Sequence, residues 1–352
     1  VSIRPPTPER SLTEMSREDL RAALLAMGEP RYRADQIHTW IFGRGARSFD
    51  AMTDAPKALR RKLEEAGYTI GRAVVEKVRE SIDGTRKLQF RLSDGAAIES
   101  VLIPMPGGVF TQCLSSQVGC AMDCKFCYTG TLGLSRHLTA GEIVDQVLLA
   151  PGTLPAGMRI DHVVYMGMGE PLHNFDAVLQ SIQVICDPEG PGYSHKRVTI
   201  STSGLVPQID RLAAIAPVNL AISLNATTDE VRDRLMPVNK RYPLAELIEC
   251  VRRYPLPPRR KLTFEYVLLG GVNDSDDDAR RLVKLLRGLP ARVNLIPWNP
   301  FDGTAYARPD DERVRAFQRI LLDRNLTVTV RVTKGLDIDA ACGQLGERPD
   351  AA

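Results

Sequence analysis

Cys120, Cys124 and Cys127 stand within eight residues, in the run Cys120-Ala-Met-Asp-Cys124-Lys-Phe-Cys127. Three thiolates can ligate three corners of a four-iron cluster and leave the fourth iron open to a small molecule. Zinc is the competing reading, because closed structural sites usually take four Cys or His ligands in paired short spacings. Here a fourth ligand would have to be Cys113 or a distant His, and the chain has no second Cys-x-x-Cys pair. The spacing therefore favours a cubane cluster, with zinc and plain core thiols left as alternatives.

Other polar groups need strand ends to bring them to the cysteines. From about residue 110 the pattern alternates between strand and helix. Strand-like runs fall at Thr111–Ser115, His162–Met166, Arg197–Ser201, Val218–Ser223, Leu262–Leu268 and Arg292–Ile296. Helical patterns lie between them at Ala140–Leu149, Ala177–Cys186, Pro207–Ile215, Leu244–Tyr254 and Asp277–Leu286, and Asp311–Arg324 precedes a last strand at Thr327–Val332. Six βα units and an edge strand predict an α/β fold, a parallel sheet wound into a partial (β/α)6 barrel. Ligands in such folds gather beyond the carboxyl ends of the strands. Cys113–Cys127, Gly167-Met-Gly169-Glu170-Pro171, Ser201-Thr-Ser-Gly204, Ser223-Leu224-Asn225 and Pro297-Trp-Asn299 all fall there. They define one mouth.

Ahead of the barrel, residues 1–75 read as a small helical domain. Ser16 caps a helix carrying Leu20, Leu24 and Leu25, and further helices fit Ala34–Phe42 and Pro56–Ala66. Residues 76–109 read as a short antiparallel β linker, with strands Val74–Glu80, Arg86–Leu92 and Ala97–Ile103 turning at Asp83-Gly84 and Asp94-Gly95. The barrel with its C-terminal cysteine segment spans 110–345, and 346–352 is a tail. Net charge is only +3, too small to diagnose a nucleic-acid binder, but residues 1–75 hold thirteen Lys and Arg against ten acids. Arg31, Arg33, Arg44 and Arg47 around Trp40 and Phe42 suit phosphate contact and base stacking, and equally a solvated helix face. Seven cysteines, no apolar leader in the first residues and no membrane span point to a reducing, cytoplasmic setting. Cys186 and Cys250 sit in apolar helical patterns and read as structural thiols.

The form C-x-x-x-C-x-φ-C, with Phe126 before the third thiol, resembles the radical S-adenosylmethionine (SAM) superfamily. Cys113-Leu-Ser-Ser-Gln-Val-Gly-Cys120, Leu220-Ala-Ile-Ser-Leu-Asn225, Asn294-Leu-Ile-Pro-Trp-Asn-Pro300 and the C-terminal Gly335-Leu-Asp-Ile-Asp-Ala-Ala-Cys342-Gly narrow the likeness to the RlmN/Cfr family of radical-SAM RNA methyltransferases. It runs from about Leu12 to Leu345. The resemblance implies a [4Fe–4S] cluster on Cys120, Cys124 and Cys127, and SAM held by Gly169, Glu170, Ser201, Ser223, Leu224, Asn225 and Asn299, with two SAM per turnover. It implies that Cys342 accepts a methyl group, that Cys113 resolves a protein–RNA link through a disulfide with Cys342, and that Glu99 accepts a proton. It also implies 23S rRNA and tRNA as substrates, an RNA-binding role for residues 1–75 and a flavodoxin-type electron donor. Ser115-Ser-Gln-Val-Gly119 and Pro297-Trp-Asn-Pro300 favour methylation at adenine C2 over C8; a radical-SAM activase acting on protein is the third reading. Asn225 stands where the family often has His, and Tyr128 where smaller residues are common.

Overall fold

The computed structural model describes residues 10–71, 73–215, 218–257 and 259–347. Of the expected tail at 346–352, only Gly346 and Glu347 are among them. Seven strands, Val109–Cys113, Arg159–Tyr165, Val198–Thr202, Asn219–Ser223, Leu262–Leu268, Ala291–Pro297 and Thr327–Val330, lie side by side, parallel and in chain order. Helical crossovers separate them, beginning with Ala140–Leu149 and ending with Asp311–Leu322. Thr139 and Glu142 close the first of these helices in a reciprocal capping box. Among the described residues the sheet stays open, because Thr327–Val330 pairs only with Ala291–Pro297.

The expected β linker is not a sheet apart. Ala97–Met105 folds back antiparallel onto Val109–Cys113, pairing Val101 with Cys113, and Arg86–Leu92 and Ala73–Glu80 continue outward. One ten-stranded sheet results. Its join is the turn at Gly107 and Gly108, whose φ angles of 86° and 72° suit glycine. A separate two-stranded ribbon, Gln117–Gly119 with Leu134–His137, carries the cysteine loop.

Side-chain alternation divides the sheet into two faces. Along Leu262–Leu268, the side chains of Leu262, Phe264, Tyr266 and Leu268 are fully buried in the core beneath the helices. Full burial of each such apolar side chain contributes roughly 1.5–3 kcal/mol. The intervening Glu265 and Val267 face a central cavity, as do Cys113 and Ser201 on neighbouring strands.

Helices Arg17–Ala26, Tyr32–His38 and Lys57–Glu65 close a second core around Leu20, Leu24, Ile37, Phe49, Leu59 and Leu63. Ser16 Oγ accepts from the Asp19 N–H, as a cap. Polar contacts fasten this unit to the barrel: Arg47 to Asp145 at 3.0 Å, Gln180 Nε2 to the Glu14 carbonyl at 2.7 Å, and Arg17 to Glu189. The basic patch is thus smaller than the sequence reading: Arg47 faces the barrel and Phe42 packs on the buried His38 ring. Arg44 remains outside, its guanidinium carbon 4.2 Å from the centre of the Trp40 ring. Among the described residues no helix is long and apolar enough to cross a membrane.

A candidate cysteine-lined active site

The carboxyl ends of the parallel strands open into a cavity of about 1250 Å³. Five of the seven cysteines line it: Cys113, Cys120, Cys124, Cys127 and Cys342. The loop bearing three of them is braced locally and at a distance. At Gly119 (φ 77°) a Cβ would fall 1.9 Å from the Gly133 carbonyl oxygen, so no side chain fits where the ribbon closes. Asp123 turns the chain between the first two thiols in the left-handed region, at φ 52°. The Lys125 N–H donates to the Leu235 carbonyl at 2.9 Å, and Trp298 Nε1–H donates to the Phe126 carbonyl at 2.9 Å. Helix Asp229–Leu235 and the Pro297–Asn299 strand end thereby hold the loop.

Burial pushes the Cys120 thiol up to about 12 and raises Cys124 and Cys127 as well; mutual repulsion adds to the shift at Cys120 and Cys124. A cationic metal cluster is what such a set needs to become thiolates. The three do not converge on a single metal ion, nor does any other trio of His, Cys, Asp or Glu among the described residues. Three thiols with no fourth ligand on the loop suit an iron–sulfur cluster with an open corner better than a closed four-ligand zinc site.

Opposite the loop, Gly169 (φ 100°) lets the backbone pass the Gln117 side chain, whose amide oxygen accepts the Glu170 N–H at 2.7 Å. Glu170 is buried, which raises its carboxyl; backbone donors from Ser203 at 2.7 Å and Leu172 at 3.0 Å pull it back. Ser201, Ser223 and Asn225 line the cavity as expected. Asn225 is left-handed (φ 56°), with its amide oxygen accepting from Val267 N–H at 2.8 Å.

Two expected residues stand elsewhere. The Leu224 side chain lies in the core, and its carbonyl accepts from Arg232 Nε at 3.0 Å. Glu99 does not line the cavity, although it shares a strand face with Val101 and Ile103, which do: one oxygen is 3.0 Å from Lys87 Nζ and the other accepts the Gly346 N–H at 2.9 Å. In this conformation Glu99 anchors the C-terminal segment, and both its oxygens are engaged.

That segment carries Cys342. Asn299 lines the cavity, but its amide donates to the Cys342 carbonyl at 3.0 Å, and its oxygen accepts from Thr333 and Arg308. Gly343 carbonyl accepts from Tyr128 N–H at 2.7 Å, and Leu345 carbonyl from Thr129 at 2.6 Å. The chain end is thereby laid across the cysteine loop. Cys342 is exposed to the cavity and unpaired, and Cys113, on the neighbouring wall, is buried and unpaired. Enclosure raises both thiols, Cys113 to about 12, while Arg331 pulls each back.

Arg331 and Glu265 are cavity residues that sequence reasoning missed. Burial opposes the Arg331 cation, yet Cys342, Glu265 and Cys113 together outweigh it. Strand alternation was the available signal: Glu265 is the one charged residue of the strand Leu262–Leu268. Cys250 is buried as expected, and Cys186 sits half-buried at a helix end.

Comparisons with known proteins agree with this geometry. Residues 10–68 match the family described as the ribosomal RNA large subunit methyltransferase N-terminal domain, and residues 114–283 match the radical SAM superfamily. The chain is 51% identical over 337 residues to the dual-specificity RNA methyltransferase RlmN of Geobacter sulfurreducens, covering 96% of this chain and 92% of that one. It is 54% identical to the protein of the same name from Desulfosudis oleivorans, over 89% and 84% of the two chains. Among solved structures, a radical SAM methyltransferase from Sphaerobacter thermophilus superposes with a TM-score of 0.91 at 46% identity, covering 96% of this chain and 99% of that one.

Proposed function

The chain belongs to the RlmN family of radical-SAM RNA methyltransferases, and we propose that it methylates C2 of adenosine in 23S rRNA and in tRNA. The observation that carries this reading is the meeting of Cys342 and Cys113 in the same cavity as the three-cysteine loop. Adenine C2 is electron-poor and cannot attack a methyl sulfonium, so the methyl group must first be carried on something else. A thiol is a competent acceptor.

In this reading Cys120, Cys124 and Cys127 would hold a [4Fe–4S] cluster, whose chemistry would be to supply the electron that cleaves SAM to a 5′-deoxyadenosyl radical. Glu170, Ser201, Ser223 and Asn225 bind SAM from the strand ends. The Cys342 sulfur attacks the methyl carbon of one SAM: a sulfur–carbon bond forms, S-adenosylhomocysteine leaves, and the thiol proton is lost. Asn299 holds the Cys342 carbonyl and so aims the sulfur into the cavity. The deoxyadenosyl radical takes one hydrogen from the S-methyl and becomes 5′-deoxyadenosine; the resulting carbon radical adds to adenine C2, and the adduct returns one electron to the reducing system and loses the ring proton, leaving the chain linked to RNA. The Cys113 thiol, losing its proton, then attacks the Cys342 sulfur: a disulfide forms, the sulfur–methylene bond breaks with its electron pair left on carbon, and a proton taken up there completes the methyl group of the released methyladenosine. Glu99 accepts the displaced ring proton only if the C-terminal segment lifts from it, since Gly346 and Lys87 engage it here. Arg44 and Trp40 offer RNA a cation and an aromatic face. A flavodoxin-type protein donates the electrons.

The test is anaerobic incubation of reconstituted enzyme with SAM, reductant and either ribosomal or transfer RNA, reading out methyladenosine isomers by mass spectrometry. The expected product is 2-methyladenosine in both RNAs. Formation of 8-methyladenosine instead reassigns the site to C8, and no methyladenosine in either RNA contradicts the reading.

A further inference from the structure

Helix Asp229–Leu235, whose last carbonyl holds the cysteine loop through the Lys125 N–H, buries a guanidinium. Arg232 is fully buried, and four neutral carbonyl oxygens receive its N–H groups. They belong to Leu224 (3.0 Å), the Asn239 side chain (2.9 Å), Ser203 (2.7 Å) and Ser223 (3.2 Å). Among the described residues no carboxylate lies within ion-pair distance of it. Asp229 and Asp233 accept from the Asn239 amide, at 2.9 and 2.7 Å, and so act on the cation one residue removed. An unpaired buried cation costs several kcal/mol unless a counter-charge is supplied. A charged Cys124 sulfur acts on the Arg232 guanidinium more strongly than Asp229 or Asp233 does. Burial lowers the guanidinium only to about 10, so it stays cationic at neutral pH.

The missing counter-charge matches what the loop is read to hold. Three thiolates leave an iron–sulfur cluster net negative, and one-electron reduction adds a further negative charge. Net charge nearby is one of the levers on cluster potential. Leu235 and Met236, at the end of the Arg232 helix, pack in one apolar cluster with Phe126, Cys124 and Cys127, so the spacing between charge and loop is fixed.

We propose that Arg232 is the counter-cation of the iron–sulfur cluster, a positioning residue that raises the cluster's reduction potential while tying the Ser203, Ser223 and Leu224 strand ends beneath the SAM site. The inference rests on the reading that Cys120, Cys124 and Cys127 hold the cluster. The electron enters from an external donor and stays on the cluster; no bond forms or breaks at Arg232.

The test is a dithionite potentiometric titration of the full-length, anaerobically reconstituted protein without SAM, followed by electron paramagnetic resonance of the reduced cluster. Arg232→Gln should move the midpoint to a more negative potential at unchanged iron content. Arg232→Lys should stay nearer the parent, because the charge is kept although the fork of hydrogen bonds is lost. Asp233→Asn keeps an acceptor for the Asn239 amide but removes a negative charge at the edge of the site, so the midpoint should move the other way. A purely structural role gives no such opposite signs. A midpoint in Arg232→Gln equal to or above the parent overturns the proposal. Should that variant fail to load iron, a midpoint in Asp233→Asn equal to or below the parent overturns it instead. Failure of the parent protein itself to take up a cluster refutes the underlying reading, a separately visible result.

Discussion

The two sets of cavity thiols are built in opposite ways. Cys120, Cys124 and Cys127 share one short loop, whose shape is set by Gly119, Asp123 and two backbone contacts to neighbouring elements. Cys113 and Cys342 come from the start and the end of the barrel and meet only because the chain end is strapped across the loop by Asn299, Tyr128 and Thr129. A compact loop gives a fixed ligand set. A thiol on a strapped segment can instead be presented to one substrate, and then to another. In the proposed function, that difference would separate permanent metal ligation from a nucleophile that must change partners within a cycle.

If that division holds, damage to the two sets must look different. Replacing any one of Cys120, Cys124 or Cys127 with Ala should abolish both iron–sulfur absorbance and SAM cleavage, measured by anaerobic reconstitution and chromatography of 5′-deoxyadenosine. Cys342→Ala should keep its iron and cleave SAM slowly, but intact-protein mass spectrometry should find no protein-bound methyl group. Cys113→Ala should methylate Cys342 and then accumulate a covalent protein–RNA adduct, visible as a shifted band on a denaturing gel. Normal turnover by Cys113→Ala, without trapped RNA, removes the resolving role from that residue.

The strap itself can be loosened. Asn299→Ala removes a buried hydrogen bond to the Cys342 carbonyl, a loss of about 1–2 kcal/mol. The rate of Cys342 methylation should fall by roughly tenfold, at unchanged iron content. A parallel loss of iron would show that Asn299 serves the loop rather than the strap.

The smallest expected effect lies where the helical unit meets the barrel. His38 is buried there, 3.6 Å from Asp187, with Arg17, Glu189 and Asp35 also acting on it. Burial lowers its native value below the usual 6.5, Asp187 and Glu189 notwithstanding. The unfolded chain therefore takes up this proton more readily than the folded one. The stability contribution is complete above about 6.5 and is lost as pH falls toward the depressed native value. Thermal melts from pH 7.5 down to about 5 should show this slope, and His38→Gln should flatten it.

The same contrast explains what was legible in the sequence. Leu262–Leu268 reads as a strand and forms over those residues, and Ala140–Leu149 is a helix with the expected bounds, because period and caps are local. The cysteine loop was legible for that reason too. Helix Asp229–Leu235 was not: it is one short, highly charged stretch whose Arg232 faces inward against its local pattern. Asn299 was expected to touch SAM, yet its amide here serves Cys342, and Glu99 was expected in the site but anchors Gly346. Both are decided by contacts with the chain end, which no local pattern carries. Arg331 escaped notice because a strand-end arginine reads as solvated until its neighbours are known.

The most direct test of two thiol sets with different tasks is to follow the methyl hydrogens. Enzyme pre-methylated with SAM bearing a trideuterated methyl group, then freed of it and given unlabelled SAM, reductant and RNA under anaerobic conditions, should release 5′-deoxyadenosine carrying deuterium in its first turnover. Deoxyadenosine free of deuterium alongside normal RNA methylation would contradict the account, since the methyl group would then not have passed through Cys342.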